Sequence, residues 1–264
     1  MRVARLILCV FISLLLSISL AAQQTATSSP QALAFLQSSL RAIGGSQTLT
    51  DVTLSGAARR VVGSYDESGS VTVKALATGA MRLDFTLPSG DLSEVRATSN
   101  GLPAGDWSGP DGVNHSIASH NLSTDWGWFP AFTLSNIISS ANTLLIYVGQ
   151  ETRNGHTVQH LSVKQQFPGQ KGNTAVLLQH LSQMDIYLDA STALPVSLVY
   201  NTHPDNDAGM DLPVEIDFSD YRAINGAQIP FHVQKFLNNS LLLDLQFESA
   251  SLNTGLAAST FTVQ

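Results

Sequence analysis

The C-terminal stretch from Asp211 to Phe261 constrains the fold most, because three segments there alternate apolar and polar side chains with almost no slack between them. In Leu212 to Tyr221, Val214, Ile216 and Phe218 fall on one face and Glu215, Asp217 and Ser219 on the other, the pattern of a strand with one wet face. Asn225-Gly226 is a strong hairpin signal, since both turn residues must tolerate positive φ, and it leads into Gln228 to Phe236. Asn238-Asn239 then turns the chain into Leu241 to Glu248, where Leu241, Leu243, Leu245 and Phe247 alternate with polar neighbours. The pattern predicts an antiparallel meander with one apolar face.

The same period recurs upstream. Thr53 to Val62 is predicted as a strand, Asp66 to Gly69 as a turn, Val71 to Ala75 as a strand, and Met81 to Leu87 as a strand with Met81, Leu83, Phe85 and Leu87 on one face. Further strands are expected at Thr143 to Gly149, His156 to Gln166, Leu177 to Leu188 and Val196 to Asn201, separated by Asn154-Gly155, by Pro168-Gly169 to Asn173 and by Asp189 to Pro195. A polar loop, His203 to Gly209, precedes the closing meander. Connections this short make sequential strands antiparallel neighbours. Two segments read as helices. Ser29 caps the first, Pro30 suits its first turn, Leu33, Leu36, Leu40 and Ile43 form its stripe, and Gly44-Gly45 ends it. In the second, Leu134, Ile137, Ile138 and Ala141 recur at helical spacing before Asn142. The expectation is a mainly β (α+β) chain of about ten or eleven short strands and two helices.

Residues 100–133 differ in character. They are rich in Gly and Pro yet hold all three tryptophans, Trp107, Trp126 and Trp128. Long loops carry such rings when they cover something. Trp126 to Ala141 is therefore read as an aromatic loop plus helix lying over the concave side of the sheet, with a plug in an ordinary core as the alternative.

Within the closing region, Asp220 to Pro230, the strand after it and Leu252 to Phe261 resemble the end of proteins with the outer-membrane-lipoprotein-carrier fold, the LolA/LolB-like group. Tyr221, Asn225-Gly226, Ile229-Pro230, Asn253 and Phe261 carry the likeness, which runs from Tyr187-Leu-Asp189 onward and concerns architecture rather than catalysis. The resemblance implies an unclosed antiparallel β-barrel with a helical lid over its concave apolar face, and the binding and shuttling of a lipid or lipid-modified protein without covalent chemistry. The chain departs from the group in its long tryptophan-rich loop, Gly101 to Pro130, and no position matches the basic residue that latches the group's lid.

Residues 1–22 begin with Arg2 and Arg5, run through an apolar core from Leu6 to Leu16 and end in Ala21-Ala22, as a cleavable export signal does. A polar linker, 23–28, and a single domain, 29–264, follow, and a periplasmic or otherwise exported monomer is expected. Cys9, the one cysteine, lies inside the signal, so the exported chain has no disulfide, thiolate metal site or cysteine nucleophile. Without Arg2 and Arg5, eleven basic residues face 20 acidic ones, a charge of −9 that argues against a nucleic-acid partner.

Chemistry-bearing patterns are sparse. His156 and His160 stand about 13 Å apart along a strand by the ~3.3 Å rise, too far for one ion. His115 and His120 share a loop with Asp111 and Asp125 without a metal-ligand spacing. No Gly-x-Ser-x-Gly is present, and the acid pairs fall in turns or on wet strand faces. Neither a catalytic residue, a metal nor a cofactor is assigned. The apolar constellation remains. Leu83, Phe85, Leu87, Val214, Ile216, Phe218, Leu243, Leu245 and Phe247 are expected to line a cavity from the sheet side. Trp126, Trp128, Phe129, Phe132, Leu134, Ile137 and Ile138 are expected to line it from the lid. The function read from these residues is non-catalytic binding or carriage of a lipid, lipoprotein or other apolar ligand. Two alternatives stay open, an envelope partner-binding module that uses Trp126 to Phe132 as an exposed anchor, and a metal-dependent enzyme.

Overall fold

The computed structural model describes residues 27–44, 48–124 and 128–264. The export segment, most of the linker and Trp126 lie outside these residues. The described strands are β1 (Asp51–Val62), β2 (Tyr65–Leu76), β3 (Met81–Leu87), β4 (Gly90–Ser99), β5 (Leu102–Ser108), β6 (Asn114–Ser116), β7 (Thr143–Arg153), β8 (His156–Gln165), β9 (Met184–Asp189), β10 (Pro195–Thr202), β11 (Leu212–Ile224), β12 (Ala227–Leu237) and β13 (Ser240–Leu252). The helices are α1 (Pro30–Gly44), α2 (Pro130–Ser139) and α3 (Gly172–Leu181).

All thirteen strands belong to one antiparallel sheet, ordered β6-β5-β4-β3-β2-β1-β13-β12-β11-β10-β9-β8-β7. Two meanders, one from each half of the chain, are joined where β1 pairs with β13, with Val52 opposite Leu252. That junction leaves β6 and β7 at opposite edges, so the curled sheet does not close. The bend has a local cause. The β1–β13 register shifts between Ser55 and Gly56, a bulge that deepens curvature. A Cβ on Gly56 would collide with the Gln246 carbonyl oxygen, so the strands come this close only because the side chain is absent. Below the bulge, Asp51 accepts hydrogen bonds from the Thr254 and Gly255 amides at 2.8 and 2.9 Å, pinning the end of β13 to the start of β1.

The sheet buries its alternating face against α1 and α2. In α1, Ala32, Leu36, Ser39 and Ile43 are buried along one stripe, and Ser29 Oγ accepts from the Ala32 amide at 3.3 Å at the entry. α1 packs on α2, β12 and β7. Just before it, the Ser29 amide donates to Leu145 O at 2.8 Å and Ser28 Oγ accepts from the Leu145 amide at 3.0 Å, which covers part of the exposed edge of β7.

Three local expectations change. The hairpin expected at Asp66 to Gly69 turns earlier, with Val62 opposite Tyr65. Gly69 lies inside β2, where a Cβ would meet Thr86 O. The glycine-rich stretch after residue 100 holds two more strands, β5 and β6, whose Trp107 and His115 pair across the ladder and stack at 4.3 Å. With β4, at Gly90–Ser99, these bring the ten segments read as strands to thirteen among the described residues. Leu177 to Leu188 is not one strand: α3 takes the first half, where Leu178 is half-buried and Leu181, three residues on, is buried while Val176 is 67% exposed.

Candidate functional site, an apolar cavity beside the lid helix

The helix α2 begins at Pro130, whose missing N–H costs nothing in a first turn, and Pro130 to Leu134 are all buried. Before it, Trp128 and Phe129 are each 2% exposed, and the Phe129 and Phe132 rings meet edge to face at 4.8 Å. The lid thus enters the curled sheet. Along the middle strands, side chains of α1 and α2 fill the trough. Toward the lip the sheet is wider than the helices and a hollow of about 390 Å³ remains.

One arm of the sheet supplies Ala75 and Met81 with the turn Thr78 to Ala80, and the other supplies Val163 and Met184. Between them α2 contributes Phe132, Thr133, Asn136 and Ile137, with Trp128, Phe129, Leu122 and Phe167 completing the wall. The few polar groups, among them Gln165 and Ser182, sit within a lining of methyl, thioether and ring carbons. Size and composition are those of a small-molecule pocket, which typically encloses ~300–1,000 Å³ and fixes its occupant with a few polar atoms. Two features mark the lid side. Lys235 alternates onto the concave face after Phe231 and Val233, is 8% exposed, and holds its Nζ 5.1 Å from the Trp128 ring centroid. Trp128 Nε1 is buried with no hydrogen-bond acceptor among the described residues.

The sixteen residues expected to meet a ligand separate. Trp128, Phe129, Phe132 and Ile137 line the cavity. Leu83, Phe85, Leu87, Val214, Ile216, Phe218, Leu243, Leu245 and Phe247 are buried in the protein's own core, as is Leu134, with Ile138 packed at its margin. The hollow lies toward the lip instead, beside Met81 at the start of β3. Trp126 lies outside the described residues. Met81, Val163 and Met184, which the sequence does not single out, also line the cavity, and no local signal marks them: they alternate like any core residue. The burial of Trp128, Phe129 and Phe132 removes them as an exposed partner anchor.

A second recess, about 600 Å³, lies over the outer face and mixes charged and polar residues with Leu194, Val196 and Phe218. Arg153, at the tip of the β7–β8 hairpin, reaches Glu215 at 2.6 Å and lies 4.1 Å over the Tyr187 ring. Beside it, burial first and then the Glu215 carboxylate push Asp217 up to about 7, against the pull of Arg153. Its charged groups engage one another, as in a structural network. The loop residues set aside as a metal site, Asp111, His115 and His120, engage other partners, and Asp125 lies outside the described residues. Asp111 accepts from the Val113 amide at 3.1 Å, His115 stacks on Trp107, and His120 turns to Pro204 O at 3.1 Å. Elsewhere among the described residues, side-chain atoms of His180, His203 and Asp211 lie within 4.8 Å of one another.

No family model matches the sequence, and no curated protein matches it. Solved structures do. A Vibrio parahaemolyticus domain described as an outer membrane lipoprotein-sorting protein superposes with a TM-score of 0.55 at 12% identity, covering 88% of this chain and 97% of that one. A DUF1329 family protein from Desulfovibrio piger gives 0.55 at 14% identity over the same shares, 88% and 97%. A LolA superfamily protein from Nitrosomonas europaea gives 0.51 at 10%, again over 88% and 97%. Identities this low speak for architecture alone, and the architecture agrees over nearly the whole of each chain: this protein has the fold of the LolA superfamily, an open antiparallel half-barrel with helices in its concave face.

Proposed function

We propose that the protein is an exported, non-catalytic binder and carrier of an apolar ligand, a lipid or the acyl part of a lipid-modified protein, held in the cavity beside α2. The observation that carries this reading is the apolar hollow of about 390 Å³ between the two arms of the sheet. Export rests on the composition of residues 1–22, and the lipoprotein-sorting description of the similar Vibrio parahaemolyticus domain agrees with a lipid cargo.

Size narrows the cargo. With a methylene taken as about the ~30 Å³ share of a water molecule, the hollow holds on the order of a dozen carbons, one acyl chain rather than several. At about 0.8 kcal/mol per methylene, full occupancy yields ~10 kcal/mol gross, well under the ~18–21 kcal/mol ceiling of noncovalent binding. Such a ligand is held and also released, as carriage requires. The unmatched Trp128 Nε1 donor favours a chain that ends in an ester or carboxylate oxygen.

The test is uptake of Nile red by the mature chain. Its fluorescence should rise on mixing and fall again when dodecanoate displaces it. Ile137→Asp, at a half-buried lining position on α2, should abolish the rise while the circular dichroism spectrum stays unchanged. A rise that persists in the folded variant places the dye elsewhere and removes the cavity reading.

A further inference from the structure

We infer that His180, His203 and Asp211 form a binding site for a divalent transition-metal ion of the zinc class, beside the rim of the apolar cavity. The three residues come from separate segments that the fold brings together. His203 directly follows β10 and Asp211 directly precedes β11, and the pairing of Thr202 with Leu212 sets them side by side at the base of the connecting loop. His180 stands in the last turn of α3.

The geometry is close to that of a ligand set. His180 Nε2 lies 2.8 Å and His203 Nε2 3.1 Å from the same oxygen, Asp211 Oδ1, and the three ligand atoms all fall within 4.8 Å of one another. Around tetrahedral zinc, with bonds of ~2.0–2.1 Å, ligand atoms stand roughly 3.4 Å apart, so small side-chain movements admit an ion. A carboxylate oxygen only accepts, so each imidazole presents an Nε2 proton to it in the arrangement seen. A cation would take the place of those protons.

His203 is the rigid member. Its side chain is 1% exposed, and its backbone is clamped by Asn121, which accepts from the His203 amide at 2.9 Å and donates to its carbonyl at 2.8 Å. Arg96 in turn donates to Asn121 O at 2.8 Å. His120 stands edge-on to His203 at 5.9 Å, so a third imidazole borders the site. Two or three imidazoles with one carboxylate suit zinc, nickel or copper and leave calcium and magnesium, which want oxygen ligands, poorly served.

The position gives an ion something to hold. Ser182, two residues beyond His180, and Leu122, next to Asn121, both line the cavity. An ion would tie α3 to the β10–β11 loop where these segments meet the cavity wall. The site and the cavity remain independent: loss of metal binding leaves the dye experiment as it stands, and the reverse holds too.

The test is calorimetric titration of the tag-free, chelator-stripped mature chain with zinc chloride, with calcium chloride as the comparison and cobalt chloride for its ligand-field spectrum. The expected result is one zinc ion per chain, no calcium binding, and the cobalt absorption of a low-coordinate nitrogen and oxygen site. His203→Ala and Asp211→Ala should each weaken zinc at least about tenfold. Because His203 is buried, His180→Ala, whose side chain is 40% exposed, carries the test if the buried variant does not fold. It should lose affinity to the same degree, together with the zinc-dependent rise in melting temperature and the zinc-dependent protection of α3 amides from exchange. His156→Ala, at an exposed histidine on β8, should bind as the natural chain does. The inference is overturned by no heat up to about 100 µM zinc, by zinc affinity that His180→Ala leaves unchanged, or by equal binding of calcium.

Discussion

A saturated fatty-acid series that brackets a dozen carbons, measured by displacement of Nile red, gives the cavity a quantitative signature. At about 0.8 kcal/mol per buried methylene, each added carbon should tighten binding roughly fourfold. The gain should stop once the chain fills the hollow of about 390 Å³, which at ~30 Å³ per carbon falls on the order of a dozen. Further carbons then lie in solvent and the curve flattens. Ile137→Trp moves the break. Ile137 lines the cavity from the end of α2, and a larger ring there takes the place of about two carbons. The variant should keep the fourfold slope for short chains and reach its plateau about two carbons sooner. Affinity independent of chain length, or a plateau that Ile137→Trp leaves in place, would refute the reasoning.

Other outcomes follow from particular contacts. Gly56→Ala should cost about 3 kcal/mol in urea unfolding, since its Cβ meets the Gln246 carbonyl at a bulge that bends the sheet; an unchanged midpoint would remove the bulge from the account. Phe247→Asp, at a buried position, should prevent folding or cost at least ~4 kcal/mol, whereas Glu248→Lys on the wet face should stay within about 0.5 kcal/mol; equal effects would invert the strand faces. Asp217 is held at about 7 in the folded chain, against about 3.9 when unfolded. The folded state therefore binds more protons between those values, and stability falls as pH rises through that window. Asp217→Asn should stabilise by on the order of 2 kcal/mol above pH ~8 and change little below pH ~4, the full linkage being halved for the partial exposure of the carboxyl; a gain equal at both pH values would contradict the assignment.

What was legible in the sequence was whatever repeats with a period of two. Val214, Ile216 and Phe218, with Leu243, Leu245 and Phe247, announce their buried face directly, and the structure buries all six. Where glycine and proline dilute the pattern, as in Leu102 to Ser108, a strand looks like a loop, because its ladder with β4 owes nothing to side-chain alternation. The cavity was legible in kind but not in place. That Val163 lines the cavity while Leu161, on the same face of β8, does not line it depends on how far α2 reaches across the sheet, a difference of widths that no single residue encodes. The histidine cluster was hidden for a related reason. His203 and Asp211 become neighbours only through the register of β10 against β11, and His180 joins them only because its segment is a helix rather than the strand its leucines imply.

The most direct measurement is native mass spectrometry of the mature chain recovered from its own cell envelope, followed by extraction and identification of what it carries. The account predicts a one-to-one complex with a molecule bearing an acyl chain, which Ile137→Asp no longer retains. A chain that emerges free of lipid and takes up no Nile red would contradict it.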